Sequence, residues 1–292
     1  MQAVTQENPV KKRVLYTFLT LAAVAAGVVF VQAQDEAIVP VHVAGNLHML
    51  EGSGGNIGVS AGEDGLLIVD DKFEKDEPRV RELLKGINPG PLKFVLNTHF
   101  HPDHTGGNTG FGKEAVIIAH ENVRGRLGAD KANAALPVVT YEDKISVHFN
   151  GEEIELIHLP AGHTDTDSVV YFRGSNVVHM GDLFFSGRFP FIDLGNGGSV
   201  QGYLDNVAKV LAILPDDVKI IPGHGPLSTR ADLQKFHTMI SECFSSVKDQ
   251  VKAGKTIQEI QAQGVPAQWK DWAWRFISEE RWITTLHAEA TK

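Results

Sequence analysis

The sequence predicts an α/β chain in which two β-sheets pack together with helices outside. Strand-type and helix-type runs are interleaved in both halves of the chain, and each half reads strands, helix, strand. In each half the strands end in loops rich in histidine, aspartate and glycine, which places a site at one edge of the sheets. At 292 residues, 42% hydrophobic and 22% charged, the chain has enough apolar material for a large core and no compositional sign of disorder. It has no heptads or short repeats, so one domain is expected.

The N-terminus reads as a targeting segment. Lys11, Lys12 and Arg13 precede a largely apolar run from Val14 to Val31, followed by Gln32 and Ala33. A positive flank, an apolar stretch and a small residue at the cut mark a secretory signal, so residues 1–33 are expected to be a signal peptide. The run is eighteen residues long, close to a membrane span, which leaves an uncleaved anchor as the alternative. Either way residues 34–292 would be exported, to the periplasm or beyond.

The globular part opens with strands at residues 38–50, 56–60 and 65–71, whose β-branched alternation and glycine-rich joins suggest a hairpin meander. Asp70 and Asp71 end the third strand, as a turn or as partners to a metal-bound histidine. Asp76-Glu77-Pro78 opens a helix with Val80, Leu83, Leu84 and Ile87 on one face and Asn88-Pro89-Gly90 as its stop. Strands follow at 92–96 and 115–119, then a helix from Glu121. Further strands fall at 145–148, 152–158, 168–172 and 177–180. Ser199 caps a helix with Val200, Tyr203, Leu204, Val207, Val210, Leu211 and Leu214 at helical spacing. A strand at 218–221 precedes Pro222-Gly223-His224-Gly225, and from Thr229 the chain reads as a helical extension.

Charge and cysteine narrow the function. The net charge is −9, and removing three cations and one acid with the signal would make it −11. That balance argues against nucleic acid as substrate, because phosphate binding relies on excess Lys and Arg. The single cysteine, Cys243, allows no internal disulfide and sits in a helical pattern as a packing residue. A membrane enters only if the N-terminal segment is retained. Nothing in the sequence specifies an oligomeric state.

The chemistry concentrates in Thr98-His-Phe-His-Pro-Asp-His-Thr-Gly-Gly-Asn108, where His99, His101, Asp103 and His104 fall within six residues. Imidazole nitrogen and carboxylate oxygen together suit a cation, above all zinc. His99 and His101 are two apart and share one side of an extended segment. Asp103 and His104, beyond the turn, are better placed for a second ion. His163 in Ala-Gly-His-Thr, Asp182 in Met-Gly-Asp-Leu and His224 in Pro-Gly-His-Gly bring the set to seven, which suits two ions sharing a carboxylate and a water.

This pattern resembles the metallo-β-lactamase-fold superfamily, whose signature is His-x-His-x-Asp-His followed by separated His, Asp and His. The resemblance covers residues 36–235 and implies an αβ/βα sandwich. It also implies His99, His101 and His163 at one metal, Asp103, His104 and His224 at the other, and Asp182 bridging. Gly-His-Thr-Asp-Thr-Asp-Ser-Val-Val-Tyr-Phe from Gly162, Asp-Leu-Gly-Asn-Gly-Gly-Ser from Asp193 and Ile-Ile-Pro-Gly-His-Gly-Pro from Ile220 are similar to the cysteine-bearing subclass of zinc β-lactamases. Where that subclass has Cys, this chain has Asp182, and His104 replaces a non-ligand. Both changes give the metal set of the glyoxalase II, lactonase and phosphodiesterase branches.

The expected function is an exported di-zinc hydrolase of a small amide, lactam, ester or lactone, with weak or promiscuous β-lactamase activity, and with iron or manganese as alternative metals. A bridging hydroxide would attack the carbonyl while Asp103 orients it and shuttles the proton. Thr98, Thr105, Thr164 and Asp165 are candidates to orient the ligands. Arg188 is expected to meet a substrate carboxylate, Phe100 and the 49–56 hairpin to form a rim, and Phe184, Phe185, Phe189 and Phe191 to divide between core and substrate wall. Trp269, Trp272, Trp274 and Trp282 read as helix packing. The alternatives are a glyoxalase II-like thioester hydrolase and a mononuclear iron oxidoreductase resembling the persulfide dioxygenases, using His99, His163 and Asp182.

Overall fold

A computed structural model describes residues 37–128 and 133–292. The expected signal peptide, residues 1–33, lies outside the described residues. Among the described residues no helix is long and apolar enough to cross a membrane.

Two mixed sheets form the centre. The first has seven strands in sequence order: β1 (Val39–Ala44), β2 (Leu47–Glu51), β3 (Ile57–Gly62), β4 (Gly65–Val69), β5 (Leu92–Asn97), β6 (Val116–His120) and β7 (Val139–Tyr141). Strands β1 to β4 pair antiparallel, and β4 to β7 pair parallel. The second sheet has six: β8 (Lys144–Phe149), β9 (Glu152–His158), β10 (Ser168–Phe172), β11 (Val177–His179), β12 (Lys219–Ile221) and β13 (Ser228–Thr229). Only β11 and β12 run parallel there. The expected sandwich is therefore the observed fold. The run 38–50, expected as one strand, breaks at Gly45, whose φ of 51° turns the chain back as a hairpin. The short strands β7 and β13 went unread, because two or three residues carry no period.

Side-chain alternation builds three apolar layers. In β10, Val170 and Phe172 face the first sheet while Val169 and Tyr171 face the helices. In β4, Leu67 and Val69 likewise point between the sheets, and Leu66 and Ile68 point outward. Because both faces of these strands are covered, they read as continuous apolar runs. Outside the first sheet the helix Glu77–Ile87 packs Val80 and Leu84 inward. Outside the second lie the helices Val200–Ile213, Arg230–Lys252 and Glu279–Ala290. Ser199 caps the first of these through its hydroxyl, which accepts from Gly202 N–H at 3.2 Å. Thr229 and Asp232 form a capping box at the start of the second. Cys243 is buried in that helix, and burial pushes its thiol up to about 12, so it is a packing residue and no nucleophile.

Parallel pairing decides where the site falls. The C-terminal ends of β4 and β5 in one sheet, and of β11 and β12 in the other, release Asp70, His99, Asp182 and His224 into loops at one edge. Four hydrogen bonds sew these loops together across the sheets. Ser168 N–H donates to Thr98 O at 2.8 Å, Asn56 N–H to Gly223 O at 2.7 Å, and the Asn56 amide to Pro222 O and Gly225 O at 2.9 and 2.8 Å. Asn56 is buried and was not singled out from sequence.

Candidate metal centre

All seven residues expected as ligands converge. His99, His101, His163 and Asp182 form one group whose ligand-type atoms lie within 4.8 Å of one another, and Asp103, His104 and His224 form another. Asp182 stands between them. Its Oδ2 is 3.4 Å from His163 Nε2 and 3.8 Å from His99 Nε2, while its Oδ1 is 3.1 Å from His104 Nε2 and 3.3 Å from His224 Nε2. Asp103 Oδ2 lies 3.4 Å from His224 Nε2 and 3.7 Å from His104 Nε2. The backbone makes this possible: Gly181 takes a φ of 49° beside Thr98, a conformation suited to glycine, so the chain turns sharply into Asp182.

The surrounding hydrogen bonds fix which ring nitrogens face the cluster. His163 Nδ1–H donates to Phe191 O at 2.7 Å, leaving Nε2 bare. His101 Nε2–H donates to Asp193 Oδ2 at 2.9 Å, leaving Nδ1 bare. His104 Nδ1–H donates to Asp70 Oδ2 at 2.7 Å. Asp70 Oδ2 also accepts from Thr98 Oγ1 at 2.8 Å, so that hydroxyl oxygen is left to accept from His99 Nδ1 at 3.0 Å. The two bare nitrogens of His101 and His163 are 2.8 Å apart, a repulsive approach unless a cation lies between them. His99 Nε2, His104 Nε2 and Asp182 Oδ1 are buried without a hydrogen-bond partner. Orphaned lone pairs aimed at a common centre fit two metal ions.

Charge states at His99, His163 and Asp182 agree with that reading. Burial pushes His99 well below the usual imidazole range and His163 down to about 4, so both are neutral and able to ligate at neutral pH. Burial works against ionised Asp182, yet His224, His104 and His163 hold it well below the carboxylate range. At His104 burial works against charge, yet the Asp182, Asp103 and Asp70 carboxylates raise it well above the usual imidazole range, so a metal there would displace its proton.

Among the residues expected to orient ligands, Thr98 does so. Thr105 Oγ1 instead donates to Phe100 O and His101 O, securing the turn. Thr164 bonds the buried Asp167 carboxylate, and Asp165 pairs with Arg126 at the surface, so neither touches a ligand side chain. Asp70 and Asp193 are the larger partners. Asp70 takes the second of its two expected roles, and Asp193, within Asp-Leu-Gly-Asn-Gly-Gly-Ser, carries no local signal of its own. Lys72 went unread because a buried lysine has no sequence signal. Its ammonium is wholly buried and donates to Ser53 O and Gly55 O at 3.0 and 2.7 Å, clamping the β2–β3 loop over the cluster. That clamp presses Gly55 onto His104, where a Cβ would enter the imidazole ring. Gly55→Ala is therefore expected to displace His104 and lower metal content by about half, measured by elemental analysis of purified protein.

A cleft of about 440 Å³ opens onto the cluster, lined on one side by Ser53, Gly54 and Phe73 and also by Phe185, Phe191, Trp274 and Phe276. The 49–56 hairpin thus reaches the rim as expected. Phe185 stacks on His224 at 4.8 Å and Phe191 lines the cleft, whereas Phe184 and Phe189 are core residues. Trp274, read as helix packing, is a wall residue. Arg188 and Phe100 are not among the lining residues; Arg188 lies over the Trp274 ring at 5.0 Å, and Phe100 lies between His101 and Arg126.

His120, at a strand end, joins no ligand group. It stacks on His158 with centroids 3.5 Å apart. Burial, with His120 next, lowers His158 from 6.5 to about 4. The unfolded chain takes up that proton first, so the contribution is complete above pH 6.5 and is lost as pH falls toward 4. His158→Phe is expected to lose about 1–2 kcal/mol less than the parent across that window, followed by urea unfolding, a figure discounted for partial exposure.

Comparison with known proteins agrees with this geometry. The family model described as the metallo-beta-lactamase superfamily matches residues 50–224, more than half of the chain. A hydroxyacylglutathione hydrolase from Polaromonas sp. is 29% identical over 177 residues, 57% of this chain and 60% of that protein. A 2,4-dinitroanisole O-demethylase subunit alpha from Nocardioides sp. is 25% identical over 204 residues, 68% of this chain and 61% of that protein. The chain thus spans about 60% of the length of these curated relatives. A solved metallo-beta-lactamase from Pontibacter korlensis superposes with a TM-score of 0.61 at 15% identity, covering 70% of this chain and 99% of that one. Its likeness shows the fold. The family match carries the rest: from the meander at residue 50 to the last of the seven ligand-type residues at 224, this chain belongs to the metallo-beta-lactamase superfamily.

Proposed function

We propose that the chain is an exported di-zinc hydrolase acting on a small amide, lactam, ester or lactone. The observation that carries this reading is the Asp182 carboxylate, which divides its two oxygens between two histidine groups. Two metal ions held by His99, His101, His163, Asp103, His104, His224 and Asp182 would lower the pKa of a shared water from about 16 toward 7 and polarise a carbonyl. The chain's own groups do the remainder. Asp103 is part-exposed to the cleft, where its carboxylate can orient the attacking water and carry its proton to the leaving atom. Asp70, Asp193 and the Phe191 carbonyl keep the imidazoles in their ligating tautomers. Export rests on the sequence of residues 1–33, and zinc on the imidazole-rich donor set.

The curated relatives named hydroxyacylglutathione hydrolase support a second reading, a thioester substrate at the same site. Elemental analysis of purified protein beside turnover of nitrocefin, a γ-lactone, an aryl ester and a thioester tests both. About two zinc ions per chain with turnover of any of the first three supports the proposal. Turnover of the thioester alone supports the second reading. One iron per chain with oxygen uptake on a persulfide overturns both.

A further inference from the structure

The cleft wall contains two aromatic rings that lie beyond the family match, which ends at residue 224. Trp274 and Phe276 come from the stretch between the 3-10 turn Ala267–Trp272 and the helix Glu279–Ala290. This stretch is built in place. Trp274 Nε1–H donates to Phe189 O at 2.9 Å, Trp274 N–H to Ile277 O at 3.0 Å, and Phe189 N–H to Trp272 O at 2.9 Å. Phe276 meets Trp274 and Phe191 with centroids 5.6 Å away in both cases. The result is a rigid aromatic corner next to the metal ligands, although Phe276 itself remains 49% exposed.

The cations nearby lie against these rings and do not line the cleft. Arg281 lies over the Phe276 and Phe191 rings at 4.4 and 5.2 Å and donates to Phe276 O. Arg188 lies over Trp274. Among the described residues that line the cleft there is no lysine or arginine, and its formal charges are Asp103 and Asp182. A corner of this kind gains from burying apolar surface and from ring-to-ring contact, and it offers a substrate anion no counter-charge away from the metal ligands.

We infer that the cleft selects substrates bearing an uncharged aromatic or branched-alkyl group beside the scissile carbonyl. That group is seated against Phe191, Trp274 and Phe276, which makes the C-terminal stretch the specificity element. The word substrate rests on the hydrolase reading above; the recognition itself does not. The cleft's volume of about 440 Å³ suits a small molecule and falls within the roughly 300–1,000 Å³ typical of such sites.

The test is binding, read apart from turnover. The metal-loaded full chain is titrated calorimetrically with N-benzylbenzamide and with the same frame bearing one carboxylate on its benzoyl ring. The neutral compound is expected to bind at least about tenfold more tightly, and Trp274→Ala and Phe276→Ala each to weaken it about fivefold or more. Phe276, being half exposed, can be truncated without opening the core, so that variant holds if Trp274→Ala fails to fold. Equal or tighter binding of the carboxylate overturns the inference, as does no binding of the neutral compound, or neutral binding that Phe276→Ala leaves unchanged. Neutral binding as expected without turnover of any carbonyl substrate removes the hydrolase reading and leaves the wall. Turnover with the reversed binding preference removes the wall alone.

Discussion

Asp182→Ala is expected to lower bound metal from about two ions toward one and to reduce turnover by more than two orders of magnitude. Replacing a supporting residue outside the ligand set costs about 10–100-fold, and Asp182 sits inside it. Its oxygens face His99 and His163 on one side, His104 and His224 on the other. Removing it takes a ligand from both groups and leaves five buried or half-buried imidazoles without their shared anion. Elemental analysis and hydrolysis assays on the same preparation read both effects. Unchanged metal content in a folded Asp182→Ala protein would remove the bridging role. Asp182→Cys, which restores a single-atom donor, is expected to recover metal on one side more than on both.

Asp70→Ala is expected to cost about 3–5 kcal/mol of stability and to weaken metal retention about 10–100-fold. The carboxylate is fully buried and accepts three hydrogen bonds, from Thr98 N–H at 2.7 Å, Thr98 Oγ1 at 2.8 Å and His104 Nδ1 at 2.7 Å. Alanine leaves those donors buried and unpaired, and lets both His99 and His104 change tautomer. Asp70→Asn separates the two consequences. Its amide oxygen can still accept from Thr98, so part of the stability returns. Its NH2 faces the His104 nitrogen with a donor instead of an acceptor, so metal retention stays low. Denaturant unfolding with and without chelator, beside metal titration, distinguishes the variants. If Asp70→Asn retains metal as the parent does, Asp70 is a structural residue alone.

Much of the fold was legible because the strands are long enough to show their character and the helices carry their caps. Ser168–Phe172 is apolar at every core position because both its faces are covered, and Ser199 announces its helix by the hydroxyl that caps it. Four of the seven ligand-type residues were legible for a chemical reason: His99, His101, Asp103 and His104 are too costly to crowd without a cation. His163, Asp182 and His224, weak signals alone, gained their meaning from that motif and from the family resemblance. The ligand supports were legible only in part: Thr98 was expected to orient a ligand and Asp70 had that role as one of two readings. Asp70 and Asp193 become partners of His104 and His101 only when chain segments 34 and 92 residues apart meet. Lys72 belongs to a residue type expected in water, and its burial depends on the Ser53 and Gly55 carbonyls arriving around it. Trp274 lies in a segment whose local pattern matches helix packing, and only the turn that carries it to Phe189 O brings it to the cleft.

By itself, the sequence determined the layered α/β architecture, the seven candidate ligands and the function class they imply, since periodicity and donor chemistry are local properties. Tertiary structure decided which nitrogen each imidazole presents, which aspartates hold those rings, and what the mouth of the cleft is made of. Those features are set by contacts between residues distant in sequence, and hydrogen-bond direction and cleft lining have no counterpart in a one-dimensional pattern.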